Sequence, residues 1–373
     1  MPKKNLHAKP FDEGTITKLE IFENYSKEWI PTFVMSQHYP EVWIFDFFAG
    51  TGYDIAGVAG SPIRILKQIK GQSGNIFNTK TKIYVCFNEF EKDKFDSLQQ
   101  SCSEYVNNDT ELKRLVDYNF LNLSFLNEDF SALFPKKLPI LKEKPSLVYL
   151  DQNGIKFLSD KYFLELAKLT KTDFLYFLAS SYFNHYGNTE AFQSNIKIDI
   201  DRARKNPYKY IHKSILEQIR ERLPQNSNCK LYPFTIRKSA NIYGIIFGAS
   251  HPRAVDKFLK TAWDKNNING EANFDIDDDV KKSESTLFPE LKLLTKIEIF
   301  QQNLTNEILN GTIKNNKDAF DYTLQQGHIA THATDVVKGL KKDGKILYNA
   351  NQPLINYENA YKNNKIVEYK IVK

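Results

Sequence analysis

Residues 44 to 52, Ile-Phe-Asp-Phe-Phe-Ala-Gly-Thr-Gly, constrain the fold of this chain more than any other stretch. An apolar run ends on an acid, Asp46, and passes into Gly50 and Gly52. A buried strand that empties into a glycine turn lets the backbone approach a ligand closely, because glycine has no side chain in the way. The turn has neither the lysine of a phosphate-gripping loop nor the three-glycine dinucleotide fingerprint. The same grammar recurs downstream. Apolar runs at 83–87, 121–126, 146–150 and 174–178 end in Asn88-Glu89, Asn127-Glu128-Asp129, Asp151-Gln152-Asn153-Gly154 and Ser180-Ser181-Tyr182. Segments with helical spacing lie between them, at 63–69, 91–106 and 160–170, and another at 15–33 precedes the first run. Strands alternating with helices predict an α/β fold, a mostly parallel Rossmann-like sheet covered by helices on both faces. The last two runs, 230–236 and 242–247, are too close for a crossover and read as a hairpin-like pair.

At 373 residues the chain accommodates two domains, and 41% hydrophobic content with 27 Phe and 20 Tyr supports a real core. No run approaches the roughly 18 apolar residues that span a bilayer. The opening Met1-Pro2-Lys3-Lys4-Asn5 leads into a charged segment, unlike a signal peptide, so no membrane attachment is expected. Cys86, Cys102 and Cys229 show neither metal nor disulfide spacing, which fits a reduced, cytoplasmic setting. The composition turns acidic after residue 265, with Asp275, Asp277, Asp278 and Asp279. The expected division is therefore a sheet domain at 1–265, a polar linker at 266–286 and a terminal domain at 287–373. In the last, helical stretches at 291–309, 318–325 and 331–340 and strand candidates at 346–348 and 366–372 outline a winged helix-turn-helix.

Each acid at a strand end reads as a cap as readily as a ligand group. In series they suit adenosine beside a cation: Asp46 at the loop, Glu89 accepting from a ribose diol and Asp129 from an adenine amino group. The loop looks like the first motif of S-adenosylmethionine-dependent methyltransferases, whose ligand carries a sulfonium and no phosphate. Ser61-Pro62 reads as N-cap and first turn of the helix after the loop. Asp151-Gln152-Asn153-Gly154 sits where such an enzyme presents its acceptor, or is simply an Asn-Gly turn. It lacks the two prolines and the aromatic residue of enzymes that methylate base amines.

Residues 201–238 hold ten Lys or Arg against three acids, and that surplus of seven exceeds the whole chain's net charge of +6. Tyr208, Tyr210 and Tyr232 are interleaved with Arg202, Arg204, Lys205, Lys209 and Lys213. Cations for phosphate and rings for bases form a nucleic-acid signature, with a solvated basic helix as the plain alternative. Residues 330–373 carry eight Lys against four acids, and the third helix offers Thr331, His332, Thr334 and Lys338 to DNA or to a protein. The lack of Arg in that domain weakens direct base reading. No metal spacing is found among the histidines or the acidic run.

Thr17-Lys18, Phe47-Phe48-Ala49-Gly50-Thr51-Gly52, Gly60-Ser61-Pro62, Asp151-Gln152-Asn153-Gly154 and Asn273-Phe274-Asp275, taken in order, resemble the three-Cys-motif partner protein (TcmP) family. The terminal domain resembles that family's GMT-like winged helix-turn-helix. The resemblance implies a bacterial or phage setting, a class I methyltransferase-like fold and a three-Cys-motif phage-type partner protein, in phage-defence or mobile-element systems. One departure stands out: Asp46 and Glu89 are 43 residues apart, about twice the usual step of roughly 20 residues from glycine loop to ribose acid. The reading assigns S-adenosylmethionine to Asp46, Phe48, Gly50, Gly52, Glu89 and Asp129. Asp151 and Asn153 face the acceptor, with Lys18 and Tyr53 above them. Its rivals are a non-catalytic nucleic-acid or partner-binding subunit and a partner-dependent hydrolase or nuclease, for which the acidic run is the one hint.

Overall fold

A computed structural model describes residues 9–36, 38–152, 159–180, 182–183, 187–193, 197–284 and 292–372. It has two compact units, Met1–His251 and Pro252–Lys373. The first opens with α1 (Glu13–Val34), capped by the Asp12 carboxylate, which accepts from Thr15 N–H. Strands and helices then alternate: β1 (Glu41–Asp46), α2 (Ser61–Lys70), α3 (Ser73–Thr79), β2 (Lys82–Asn88), α4 (Lys92–Asn107), α5 (Thr110–Asp117), β3 (Leu121–Leu126), α6 (Phe130–Glu143), β4 (Ser146–Leu150), α7 (Asp160–Ala167) and β5 (Thr172–Leu178). Next come α8 (Ile200–Arg204), a 3-10 turn (Tyr208–Tyr210) and α9 (Ile211–Glu221), then β6 (Lys230–Lys238) and β7 (Asn241–Ala249).

The seven strands lie in the order β3-β2-β1-β4-β5-β7-β6. The first five pair in parallel, and β7 enters antiparallel between β5 and β6. This is a mostly parallel Rossmann-like sheet that ends in an antiparallel hairpin. Every residue of β4 is buried, and since successive side chains point to opposite faces, both faces at the sheet's centre are covered. At the β5–β7 contact the sheet needs glycine: a Cβ at Gly248 would lie 2.0 Å from the Phe174 ring.

Three local expectations change. Gly60, not Ser61, caps α2, and the Ser61 hydroxyl instead donates to Asp46 at 2.6 Å. The Pro/Lys-rich stretch after residue 130, which reads as a turn, is α6 with Pro135 and Pro139 inside it. Burial of Phe130, Leu133, Phe134 and Leu141 on one stripe outweighs the missing amide donors. The polar stretch at 68–80 contains α3, which buries only Ile76 and ends with Lys80 in the left-handed region at φ 58°.

The second unit contains α10 (Pro252–Lys265), α11 (Asp279–Ser283), α12 (Lys296–Leu309), α13 (Asn316–Gln325), α14 (Ala330–Lys342) and the antiparallel β8 (Ile346–Leu347) and β9 (Lys370–Ile371). Helix α12 starts at a capping box, with Thr295 and Glu298 satisfying each other's backbone amides. Phe300, Leu304, Phe320, Leu324, Val337 and Leu340 form its core, and the three helices with the two-stranded wing make a winged helix-turn-helix. Residues of the expected linker are built into this unit: Asn269, Ala272, Ile276 and Asp279 are buried. The acidic run is engaged locally, Asp275 accepting from the amides of Asp279 and Val280 at 2.8 Å each. No helix among the described residues is long and apolar enough to cross a membrane.

Candidate active site

The strand ends of the first unit converge on the glycine loop. Gly50 and Gly52 have φ of 68° and 88°, where side chains with a Cβ are disfavoured. A Cβ on Gly52 would also stand 2.8 Å from Ser101 Cβ of α4. The loop is held by its neighbours: Ala49 N–H donates to Asn88 O at 2.9 Å, and Gly50 N–H donates to Glu89 Oε2 at 3.1 Å. The other Glu89 oxygen accepts from Glu91 N–H at 2.9 Å. Asn88, 1% exposed, donates to both Phe47 O and Glu128 O at 3.1 Å and so staples the ends of β1, β2 and β3. In the sequence Asn88 is marked only as an amide that closes an apolar run.

Asp46 is 1% exposed and accepts from the Ser61 hydroxyl and from Phe48 N–H, at 2.6 and 3.2 Å. Burial pushes its carboxyl up to about 7, against the pull of the Ser61 and Phe48 hydrogen bonds, and the charges of Asp151 and Glu89 push the same way. Asp46 therefore organises the loop and the start of α2 from beneath. Asp129 caps α6, accepting from Ser131 N–H at 2.8 Å and from the Ser131 hydroxyl. Phe48 rests 5.2 Å from the Phe130 ring at the head of the same helix. Phe90, next to Glu89, is 59% exposed, a ring at the site's rim that the sequence did not single out.

At the end of β4, Asp151 forms an ion pair with Lys18 of α1; their side chains are 24% and 10% exposed. Lys18 Nζ lies 4.5 Å from the Phe177 ring centroid. The structure thus joins Lys18 and Asp151, which are 133 residues apart. Asn153 lies outside the described residues. Tyr53 bridges to Ala59, its carbonyl accepts from Thr51, and burial together with Tyr105 and Cys102 raises its phenol. Among the described residues no hydrogen bond joins Tyr53 to the Lys18–Asp151 pair.

The basic segment is partly self-neutralised. Arg202 makes a two-pronged pair with Glu221 at 2.7 and 2.6 Å, and Arg204 lies 3.7 Å from Asp201. Tyr232 is buried in β6 and is no stacking surface. Lys205 is exposed, Tyr208 accepts from Ile242 N–H at 3.3 Å, and Lys209 and Lys213 flank Tyr210. In the second unit, Thr331 and Lys338 are exposed on α14, but His332 turns inward, 4.5 Å from Trp263 and 5.3 Å from His328, ring to ring. His328 is stacked on Phe300 at 4.1 Å.

The GMT-like wHTH domain family matches residues 274–353. Two solved structures are similar to the chain. Trm1 from Pyrococcus horikoshii in complex with S-adenosyl-L-methionine is 11% identical with a TM-score of 0.38, over 69% of this chain and 61% of that one. A Listeria monocytogenes protein assigned to the class I S-adenosylmethionine-dependent methyltransferases is 11% identical with a TM-score of 0.28, over 66% of this chain and 62% of its own. The match thus spans less than two thirds of either protein's length. No curated protein matches the chain.

Proposed function

We propose that the first unit binds S-adenosylmethionine at the glycine loop and transfers its methyl group to a nucleic-acid acceptor, and that the winged helix contacts nucleic acid. The observation that carries the reading is the left-handed glycine pair at the end of β1, tied to Glu89 at the end of the neighbouring strand. Glu89 accepts from two backbone amides, and a carboxylate has about four acceptor sites, so room remains for a ribose diol. Phe48, Gly50 and Gly52 line the approach, Asp46 supports it from below, and Asp129 closes the adenine side. The bound cofactor would supply an electrophilic methyl group on a cationic sulfur. The chain's own work is alignment: Asp151 orients the acceptor, Lys18 fixes that carboxylate, and Asn153 and Tyr53 complete the wall. Holding donor and acceptor in line and excluding water supplies most of what such a displacement needs.

Calorimetric titration with S-adenosylmethionine tests the reading. Binding is expected with the intact chain, weakened about tenfold or more in Glu89→Ala, where Gly50 loses its anchor. Absence of heat with the wild-type chain sinks it. Asp151→Asn is expected to keep the heat and lose methyl transfer to oligonucleotides.

A second reading, a subunit that keeps the fold without turnover, is favoured by the Lys18 ammonium already engaging Asp151. Wild-type binding without transfer to any oligonucleotide would select it. We further infer, from the glycine-loop and Asp151 motifs together with the terminal domain, that the chain belongs with three-Cys-motif partner proteins and works beside such a phage-type protein in phage defence. Co-purification of the two gene products tests that assignment.

A further inference from the structure

The two edges of the seven-stranded sheet are built differently. One edge is β6, Lys-Leu-Tyr-Pro-Phe-Thr-Ile-Arg-Lys, which carries Pro233 together with the charges of Lys230 and Arg237. Proline offers no amide proton and charged side chains repel an incoming strand, so this edge is guarded against further pairing. The other edge is β3, Leu-Asn-Leu-Ser-Phe-Leu, with neither a proline nor a charge. Half of its backbone is in use. Ile83 N–H donates to Phe120 O at 2.8 Å, and Glu89 N–H donates to Leu126 O at 3.1 Å. Alternate residues of a strand bond to opposite sides, so the amides and carbonyls of Leu121, Leu123 and Phe125 point away from β2. Among the described residues nothing outside β2 bonds to them. Ser124 is exposed, and Leu123, Phe125 and Leu126 are half-buried.

Exposed rings mark both ends of this strand. Tyr118, three residues before β3, is 65% exposed and stands edge-on to Phe77 at 5.7 Å. Phe90 is 59% exposed, and its carbonyl accepts at 2.9 Å from Asn127, the residue that follows β3. Either ring alone is an ordinary surface residue. A second β3 laid antiparallel covers the whole arrangement. It sets free amides against free carbonyls and apposes no like charges along the strand. It also brings Tyr118 of each copy to the end of the strand where the other copy has Phe90. An unrelated peptide matches the backbone alone, whereas a second copy matches the backbone and both rings. The guarded β6 edge stops further growth, so pairing closes at two copies and does not run on as a filament.

We propose that β3 is a docking edge for a second copy of this chain, joined antiparallel about a two-fold axis into one continuous sheet. A single strand pair is a small interface, so sedimentation velocity of the full chain should show a reversible, concentration-dependent monomer–dimer equilibrium. Ser124→Lys changes an exposed side chain, brings an ammonium from each copy close to the axis, and should raise the dimer Kd about tenfold. Leu123→Pro removes an outward amide, keeps every bond to β2, and should raise it by a similar factor. Cys86, Cys102 and Cys229 are buried, so Ser124→Cys adds an accessible thiol. A short bis-maleimide should join two copies through Ser124→Cys and none through Lys230→Cys on the guarded edge. A chain that stays monomeric at every concentration, with Ser124→Cys not cross-linked, overturns the proposal and leaves a peptide strand as the partner for this edge. A dimer unchanged by both Ser124→Lys and Leu123→Pro, or equal cross-linking through Lys230→Cys, overturns it as well.

Discussion

The two units differ in which buried titratable groups are shifted most: two carboxyls beside one histidine in the first, two histidines in the second. In the first, Asp46 and Asp173 are buried carboxyls, both pushed up to about 7 by burial even though Ser61 donates to one and Tyr25 to the other. In the second, His328 is pushed down to about 2 by burial, with Lys296 and His332 adding to the effect, and burial lowers His332 too. The carboxyls serve geometry that apolar residues do not supply: Asp46 shapes a loop, and Asp173 ties α1 to β5 through the Tyr25 hydroxyl at 2.7 Å. The histidines serve packing, as flat rings between Phe300 and Trp263. The units should therefore respond to acid in opposite directions.

The largest expected effect is in the first unit. A carboxyl whose folded value lies above its unfolded value near 3.8 destabilises the fold when charged, so stability grows as pH falls from about 7 towards 4. Between pH 7 and 5, Asp46 and Asp173 should together add about 5 kcal/mol. His212, buried and pushed down to about 4, takes back about 2 kcal/mol below pH 6.5. The net gain of about 3 kcal/mol is read by urea unfolding of Trp263→Phe, in which only Trp29 and Trp43 fluoresce. Asp46→Asn should remove most of one carboxyl's share; an unchanged pH slope would show that Asp46 is not buried as described.

Next in size is a pair of glycines that separates loop geometry from packing. Gly52 in the first unit and Gly344 in the second have φ of 88° and 70°. A Cβ on Gly52 meets Ser101, whereas nothing lies within 4 Å of one on Gly344. Gly344→Ala should cost about 1 kcal/mol for its left-handed backbone alone. Gly52→Ala should cost about 3 kcal/mol, since overpacking is added, and should weaken cofactor binding as well. Equal losses at the two positions would mean that α4 gives way, and the loop would lose its claim to a preset shape.

These contrasts also mark what was legible in the sequence. The mostly parallel sheet and its hairpin could be read because each buried run was short and ended on polar residues, and the winged helix because its helices keep a clean spacing; the strand order could not, since it depends on which crossovers reverse direction. The Asp151 partnership with Lys18 could be suspected but not placed, since residues 133 apart meet only through the crossing of α1 over the sheet. Asp129 as a cap was one of two open readings and Ser61 as a donor to Asp46 was hidden, because cap and ligand use the same short polar side chains. Helix α6 was hidden by its prolines, whose local rule lost to four buried side chains. In residues 201–238 the charge count was visible but not its pairing, so Arg202 and Arg204 looked available when both face acids.

A smaller effect of opposite sign is expected in the second unit. A histidine whose folded value lies below its unfolded value near 6.5 contributes stability that is present above that value and is lost as pH falls. From pH 6.5 to 5, His328 should cost about 2 kcal/mol, read from Trp263 in a chain with Trp29→Phe and Trp43→Phe. His328→Phe keeps a ring on Phe300 and should flatten the slope. If acid stabilises both units alike, the carboxyl–imidazole contrast is wrong.

The smallest effects distinguish the units as nucleic-acid surfaces. Lys338 is exposed on α14, and residues 287–373 hold no Arg to read bases, so in the proposed reading Lys338 would supply one phosphate contact. Lys338→Ala should lower the log–log salt slope for duplex DNA by about 0.9 and leave the slope for a single strand alone. Lys209→Ala, in the basic segment of the first unit, should lower the single-strand slope by about 0.7 and leave the duplex slope alone. Arg202→Ala should change neither slope, because its guanidinium is held by Glu221. If Lys338→Ala and Lys209→Ala shifted both slopes together, the two units would be handling one and the same ligand, and the division between a strand-binding segment in the first unit and a duplex-binding helix in the second would fall.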